Sequence, residues 1–138
     1  MKRFGTANWQ GTGKDGSGHI TSQSEALKNA HYSYLSRFAD EVGTNPEELI
    51  AAAHAGCFTM KLSFVLTDAG FPPSTIDTKC EITIDADKGE ITLSHLIVNA
   101  KVAVISKEKF VELVANAKDN CPVSKLLKST ITFEAALI

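Results

Sequence analysis

Residues 43–70 read GTNPEELIAAAHAGCFTMKLSFVLTDAG, and the ends of this stretch are as informative as its middle. Asn45 is a favoured N-cap, and Pro46 suits the first helical position, where a backbone N–H would have no partner. Glu47 and Glu48 follow at the positive end of the helix dipole. At the far end Gly70 can take the left-handed conformation that closes a helix, and Pro72-Pro73 prevents continuation. One helix over residues 46–68 follows, about 35 Å long at 1.5 Å per residue. Its apolar residues Leu49, Ile50, Phe58, Met60, Leu62, Phe64, Val65 and Leu66 do not gather in one stripe, which predicts burial on most sides. Glu47, His54, Lys61 and Asp68 recur every seventh residue and predict one narrow polar line. Ala51, Ala52, Ala53, Ala55 and Gly56 keep the middle slim enough for a second backbone, and Cys57 lies there.

Working outward, the chain alternates between strand and helix signals. Residues 2–10 alternate weakly, and the Gly-rich GTGKDGSG at 11–18 predicts a hairpin loop leading to a polar strand near 18–25. The alternation of HYSYLSRF at 31–38 predicts a strand that carries Arg37 near its end. Beyond the long helix, TKCEITID places Cys80, Ile82 and Ile84 on one strand face, Asp87-Lys88-Gly89 turns the chain, and residues 90–104 form a second strand. Ser106 caps a helix over 107–118, Asn120-Cys121-Pro122 opens a short helix, and STITFEAALI closes as a strand. Strands, helix, strands, helices and strand make an α+β fold, mostly antiparallel sheet around a long buried central helix.

The 138 residues contain no linker or repeat, so one domain over 1–138 is expected. Hydrophobic content of 43% and charged content of 22% are ordinary for a globular protein. A net charge of −2 gives no electrostatic basis for binding nucleic acid. The N-terminal MKRFGTANWQ lacks the apolar core of a secretory signal, and Glu47, Glu48, His54, Lys61 and Asp68 argue against a membrane span, so a cytoplasmic protein is expected. Three cysteines are too few for a disulfide scaffold, which leaves redox chemistry, a metal or simple packing.

Cys121 precedes Pro122 at a helix start, where backbone N–H groups stabilise a thiolate; a small capping cysteine is the equal alternative. Cys57 lies mid-helix, where the dipole offers nothing, so a reactive thiolate there needs a cation: His54 at i−3 and Lys61 at i+4 lie on neighbouring helical faces, and Arg37 could arrive from the preceding strand. Otherwise it is a packed core cysteine. Cys80 falls on an apolar strand face and reads as core. Glu48 is the third residue after Asn45, the position of a capping-box glutamate. His54, Cys57 and Cys121 could serve as three zinc ligands, although no paired ligand spacing supports it.

These residues identify the chain as similar to the OsmC/Ohr family of thiol peroxidases, in its OsmC (osmotically inducible protein C) branch. The resemblance rests on A-N-W-Q-G at 7–11, R-F at 37–38, G-T-N-P-E-E-L at 43–49, A-A-H-A-G-C-F at 52–58, D-A-G-F at 68–71 and C-P-V-S at 121–124. It implies that Cys57 is the peroxidatic nucleophile, that Cys121 is the resolving thiol, and that Arg37 and Glu48 are the activating pair. It also implies an intertwined homodimer with two sheets wrapped around paired central helices. The implied activity is reduction of organic hydroperoxides, and more weakly of hydrogen peroxide, in oxidative and osmotic stress. A redox-active Cys57–Cys121 disulfide would be restored by a dithiol, usually of lipoyl type, with no cofactor or metal.

Helix geometry adds one constraint. Glu48 and Cys57 are nine residues apart, which leaves their side chains on opposite faces and about 13.5 Å apart along the axis. If both serve one site, Glu48 has to come from a partner chain, placing the active sites at the subunit interface. Two other readings compete: a non-catalytic module that binds an apolar ligand, and a zinc protein using His54, Cys57 and Cys121.

Overall fold

The computed structural model describes residues 1–138. Its elements run β1 (Gly5–Gln10), β2 (Ser17–Ser22), β3 (Ala30–Ser33), α1 (Tyr34–Phe38), α2 (Pro46–Asp68), β4 (Pro73–Asp85), β5 (Glu90–Val102), α3 (Lys107–Asn120), α4 (Pro122–Leu126) and β6 (Thr130–Leu137). Two compact units make up the chain, Met1–Leu49 and Ile50–Ile138. No linker marks the division because α2 starts in the first unit and continues into the second.

The first unit is an antiparallel sheet in the order β1-β2-β3. Its hairpin loop follows Gln10 and returns at Ser17, as the Gly-rich stretch predicts. The strand expected over 31–38 stops at Ser33. There Ser33 and Ser36 form a capping box, with Ser36 N–H donating to Ser33 Oγ at 3.0 Å and Ser33 N–H to Ser36 Oγ at 2.8 Å. These reciprocal bonds satisfy the free donors of a helix start and override the apolar alternation. Arg37 therefore sits in the last turn of α1 rather than at a strand end. The approach to α2 is tight: Thr44 N–H donates to His31 O at 2.8 Å, and a Cβ on Gly43 would lie 2.8 Å from that same oxygen.

The helix ends are where the sequence places them. Glu48 N–H donates to Asn45 Oδ1 at 2.8 Å, the N-cap bond. At the other end Gly70 has φ 88°, and Gly70 and Phe71 N–H groups donate back to Thr67 O and Leu66 O, the paired bonds of a Schellman closure.

The second unit is built on a mixed sheet in the order β4-β5-β6. β4 and β5 form a long antiparallel hairpin turning between Asp85 and Glu90. β6 returns through α3 and α4 and pairs parallel to β5, so the mostly antiparallel expectation holds with one parallel pairing. His54, Phe58, Leu62 and Leu66, four residues apart on α2, are fully buried. The apolar three of these form one core with Leu96, Val98 and Ala100 of β5 and Phe110, Leu113, Val114 and Ala117 of α3.

Two expectations for α2 are corrected. It is not buried on most sides in the single chain: Ala52, Ala53, Gly56, Met60 (63% exposed) and Phe64 (61% exposed) form an uncovered apolar line. The polar line at every seventh residue also fails, because a seven-residue repeat drifts around a 3.6-residue helix and a side chain's partners decide its burial. Glu47 and His54 are buried with hydrogen-bond partners, whereas Asp68 is exposed.

Candidate active site

In the second unit, α2 carries Cys57 and the start of α4 carries Cys121 as N-cap. Both are free thiols, and the Cys121 thiol donates to Cys57 Sγ across 3.2 Å. A disulfide needs about 2.05 Å, so closure asks for an approach of roughly 1 Å. The two thiols differ in access: Cys57 is half-buried, whereas Cys121 is 0% exposed.

Three influences act on the Cys57 thiol. Burial pushes its pKa up, a hydrogen bond from the Val123 N–H pulls it down, and the neighbouring Cys121 thiol pushes it up again. The free N–H groups at the start of α4 thus serve a different cysteine from the one expected. Cys121 makes no side-chain capping bond, while Val123, one residue inside the helix, donates to Cys57.

His54 lies one turn before Cys57 and is fully buried. Nδ1 is 2.7 Å from Ser94 Oγ on β5, and Nε2 is 2.8 Å from Ser124 Oγ on α4. Burial lowers its pKa, so the imidazole is held neutral. With both ring nitrogens engaged by hydroxyls, His54 has none to give a metal, and no group of three or more His, Cys, Asp or Glu side chains comes together as a metal site. The zinc reading of His54, Cys57 and Cys121 is therefore overturned. Cys80 lies on the inner face of β4 as expected, half-buried, with Sγ 3.3 Å from Ser94 Oγ and 3.8 Å from His54 Nδ1. Burial, the largest influence on it, raises its pKa.

The first unit holds the other predicted residues. Arg37 pairs with Glu47, not with Glu48 as the resemblance implies. Arg37 Nε donates to both Glu47 oxygens at 3.0 and 3.2 Å, and Nη2 donates to Oε1 at 2.6 Å. This fork fixes the guanidinium plane, and Arg37 also lies against the Phe38 ring at 5.0 Å. Glu48 instead accepts from Thr44 Oγ1 at 2.6 Å. The two glutamates differ by one residue, about 100° of helix rotation, which turns Glu47 toward α1 and Glu48 toward the preceding loop.

The His54–Ser94–Ser124 cluster was missed, although the sequence carries its trace. Ser94 continues backward the buried register of Leu96, Val98 and Ala100, and His54 continues the line of Phe58, Leu62 and Leu66. A polar residue at a core position needs a partner.

The chain matches the profile of the OsmC-like protein family over residues 39–136. It is 41% identical over 139 aligned positions to Peroxiredoxin OsmC of Escherichia coli (strain K12), covering 99% of this chain and 97% of that one. It is 31% identical over 122 positions to the organic hydroperoxide resistance protein OhrB of Bacillus subtilis (strain 168), covering 87% and 88%. The crystal structure of OhrB superposes with a TM-score of 0.67 at 28% identity over 98% of both chains. An OsmC-like protein from Mycoplasma pneumoniae shares the fold with a TM-score of 0.75 at 13% identity, over 100% of this chain and 98% of that one.

Proposed function

The chain belongs to the OsmC-like protein family, and on that footing we propose that it is a cysteine-based peroxidase that reduces organic hydroperoxides through Cys57 and Cys121. The observation that carries the reading is the unequal access of two thiols 3.2 Å apart, one half-buried and one sealed. The accessible thiol meets the peroxide, and the sealed one waits beside it.

Cys57 thiolate attacks the terminal peroxide oxygen, forming a sulfenic acid and releasing an alkoxide that is protonated to the alcohol. The Cys121 thiol then condenses with the sulfenic acid, giving a disulfide and water before further oxidation. An external dithiol of lipoyl type restores both thiols by exchange. Ala53, Met60 and Phe64, exposed at helical spacing around Cys57, offer an organic peroxide an apolar seat.

Burial and Cys121 both hold the Cys57 proton on, so activation needs a cation brought to the sulfur. Arg37, oriented by Glu47, is that cation, and it also stabilises charge on the departing oxygen. Glu47 and Cys57 are ten residues apart on one helix, an advance of about 15 Å, so they cannot share a site on their own helix. The Arg37–Glu47 pair therefore serves the partner's thiol in an intertwined homodimer with sites at the subunit interface. The uncovered line of α2 supports this: around Gly56 an added Cβ would meet nothing within 4 Å, space that the single chain leaves unused. The cellular setting is cytoplasmic defence against peroxides.

Purified chain supplied with dihydrolipoamide is expected to consume cumene hydroperoxide at least about tenfold faster than hydrogen peroxide at equal concentration. A chain that consumes neither, with both cysteines still reduced, contradicts the peroxidase reading and favours a ligand-binding module.

A further inference from the structure

We propose that His54 is a positioning residue for the resolving thiol: through its hydrogen bond to Ser124 it ties α4 to α2 and holds Cys121 against Cys57. The inference rests on the peroxidase reading above and concerns only its second step.

The geometry is that of two rungs between the same two elements. His54 and Cys57 are three residues apart on α2, and Cys121 and Ser124 are three residues apart at the start of α4. One rung is the 2.8 Å bond from His54 Nε2 to Ser124 Oγ; the other is the 3.2 Å contact between the sulfurs. Residues three apart on a helix share a face, so fixing one rung restrains the other. Beyond the two rungs, α4 is held by apolar packing, with Cys121 in the core and Val123 against it, and its side chains make no other hydrogen bond. It is five residues long, its N-cap side chain makes no capping bond, and Leu126 is 80% exposed. Ser124 is its one buried side chain. The rung lies out of water, where a hydrogen bond meets no solvent competition and an unpaired nitrogen is costly.

Resolution is the step this would govern. The sulfurs have to close by roughly 1 Å, and a misplacement of about that size can slow a reaction on the order of 100-fold. First attack on a peroxide forms its new bond at the Cys57 sulfur and does not draw on the Cys121 thiol.

The test is a quenched-flow series with one equivalent of cumene hydroperoxide, thiol trapping at timed intervals and mass spectrometry of Cys57 and Cys121. In Ser124→Ala, sulfenic acid at Cys57 is expected to form within about twofold of the wild-type rate. Disulfide formation should slow by about 10- to 100-fold, and sulfinic acid should build up under excess peroxide. Ser124→Thr keeps the hydroxyl and should restore the disulfide rate. Ser94→Ala removes an equally buried hydroxyl from the same imidazole but spares the α2–α4 rung, and should resolve within about threefold of wild type. Should Ser124→Ala fail to fold, His54→Leu reads the same rung from α2 and should show the same slow resolution. Resolution within twofold of wild type in Ser124→Ala, or equal slowing in Ser94→Ala and Ser124→Ala, overturns the proposal. Failure of the peroxidase reading looks different: no sulfenic acid forms at Cys57 even in the wild-type chain.

Discussion

Cys57→Ser is expected to abolish peroxide turnover, by at least about a thousandfold, whereas Cys121→Ser keeps the first oxidation and loses its outcome. A serine hydroxyl is almost wholly protonated at neutral pH and a poor nucleophile toward peroxide oxygen, so nothing remains to make the first bond. Cys121 contributes nothing to that bond. It is sealed from solvent and serves as the nearest partner of the oxidised sulfur, 3.2 Å away. Without it the sulfenic acid persists, and excess peroxide carries Cys57 to sulfinic acid, beyond recovery by simple thiols. The check is consumption of the first equivalent of cumene hydroperoxide, followed by the mass of Cys57. A Cys121→Ser chain that cannot consume one equivalent reverses the assigned roles.

Arg37→Lys and Glu47→Ala are expected to lower turnover about 100-fold and at least 10-fold, while Glu48→Ala stays within about threefold of wild type. A lysine brings the charge but not the plane. The guanidinium uses Nε and Nη2 on Glu47 and keeps its remaining donors for a thiolate or a peroxide oxygen, a division that one ammonium cannot make. Removing Glu47 frees Arg37 to swing. Removing the Glu48 carboxylate costs only its bond to Thr44, a loss in stability of about 1 kcal/mol, since the N-cap bond uses the Glu48 backbone. Steady-state assays of the three variants check this order. If each site draws on two chains, refolding Cys57→Ser together with Glu47→Ala should restore activity in mixed dimers. Mixed dimers that form and stay inactive place the pair within one chain.

Legibility in the sequence followed the locality of the physics. The ends of α2 were legible because Asn45, Pro46 and Gly70 act on their own backbone within one turn. The start of α1 was missed because two serines at 33 and 36 outweigh an alternation of larger apolar residues, and only the reciprocal hydrogen bonds reveal it. Which thiol the N–H groups of α4 serve is a tertiary matter. Cys121 owns that position in sequence, yet Val123 donates to Cys57, which lies 66 residues earlier. The choice between Glu47 and Glu48 likewise depended on where Arg37 lies, which neighbouring residues cannot reveal. His54 shows the same limit: its spacing from Glu47 and Lys61 pointed to a polar face, whereas Ser94 and Ser124, 40 and 70 residues away, give it a place in the core.

The central claim is that Cys57 is oxidised by peroxide and resolved by Cys121. Its most direct test is mass spectrometry of all three cysteines in the wild-type chain after one equivalent of cumene hydroperoxide, with peptide mapping of any disulfide. The account predicts one disulfide joining Cys57 to Cys121, with Cys80 still reduced and one equivalent of alcohol released. Both Cys57 and Cys121 remaining as free thiols, or a disulfide that includes Cys80 in place of Cys121, would contradict it.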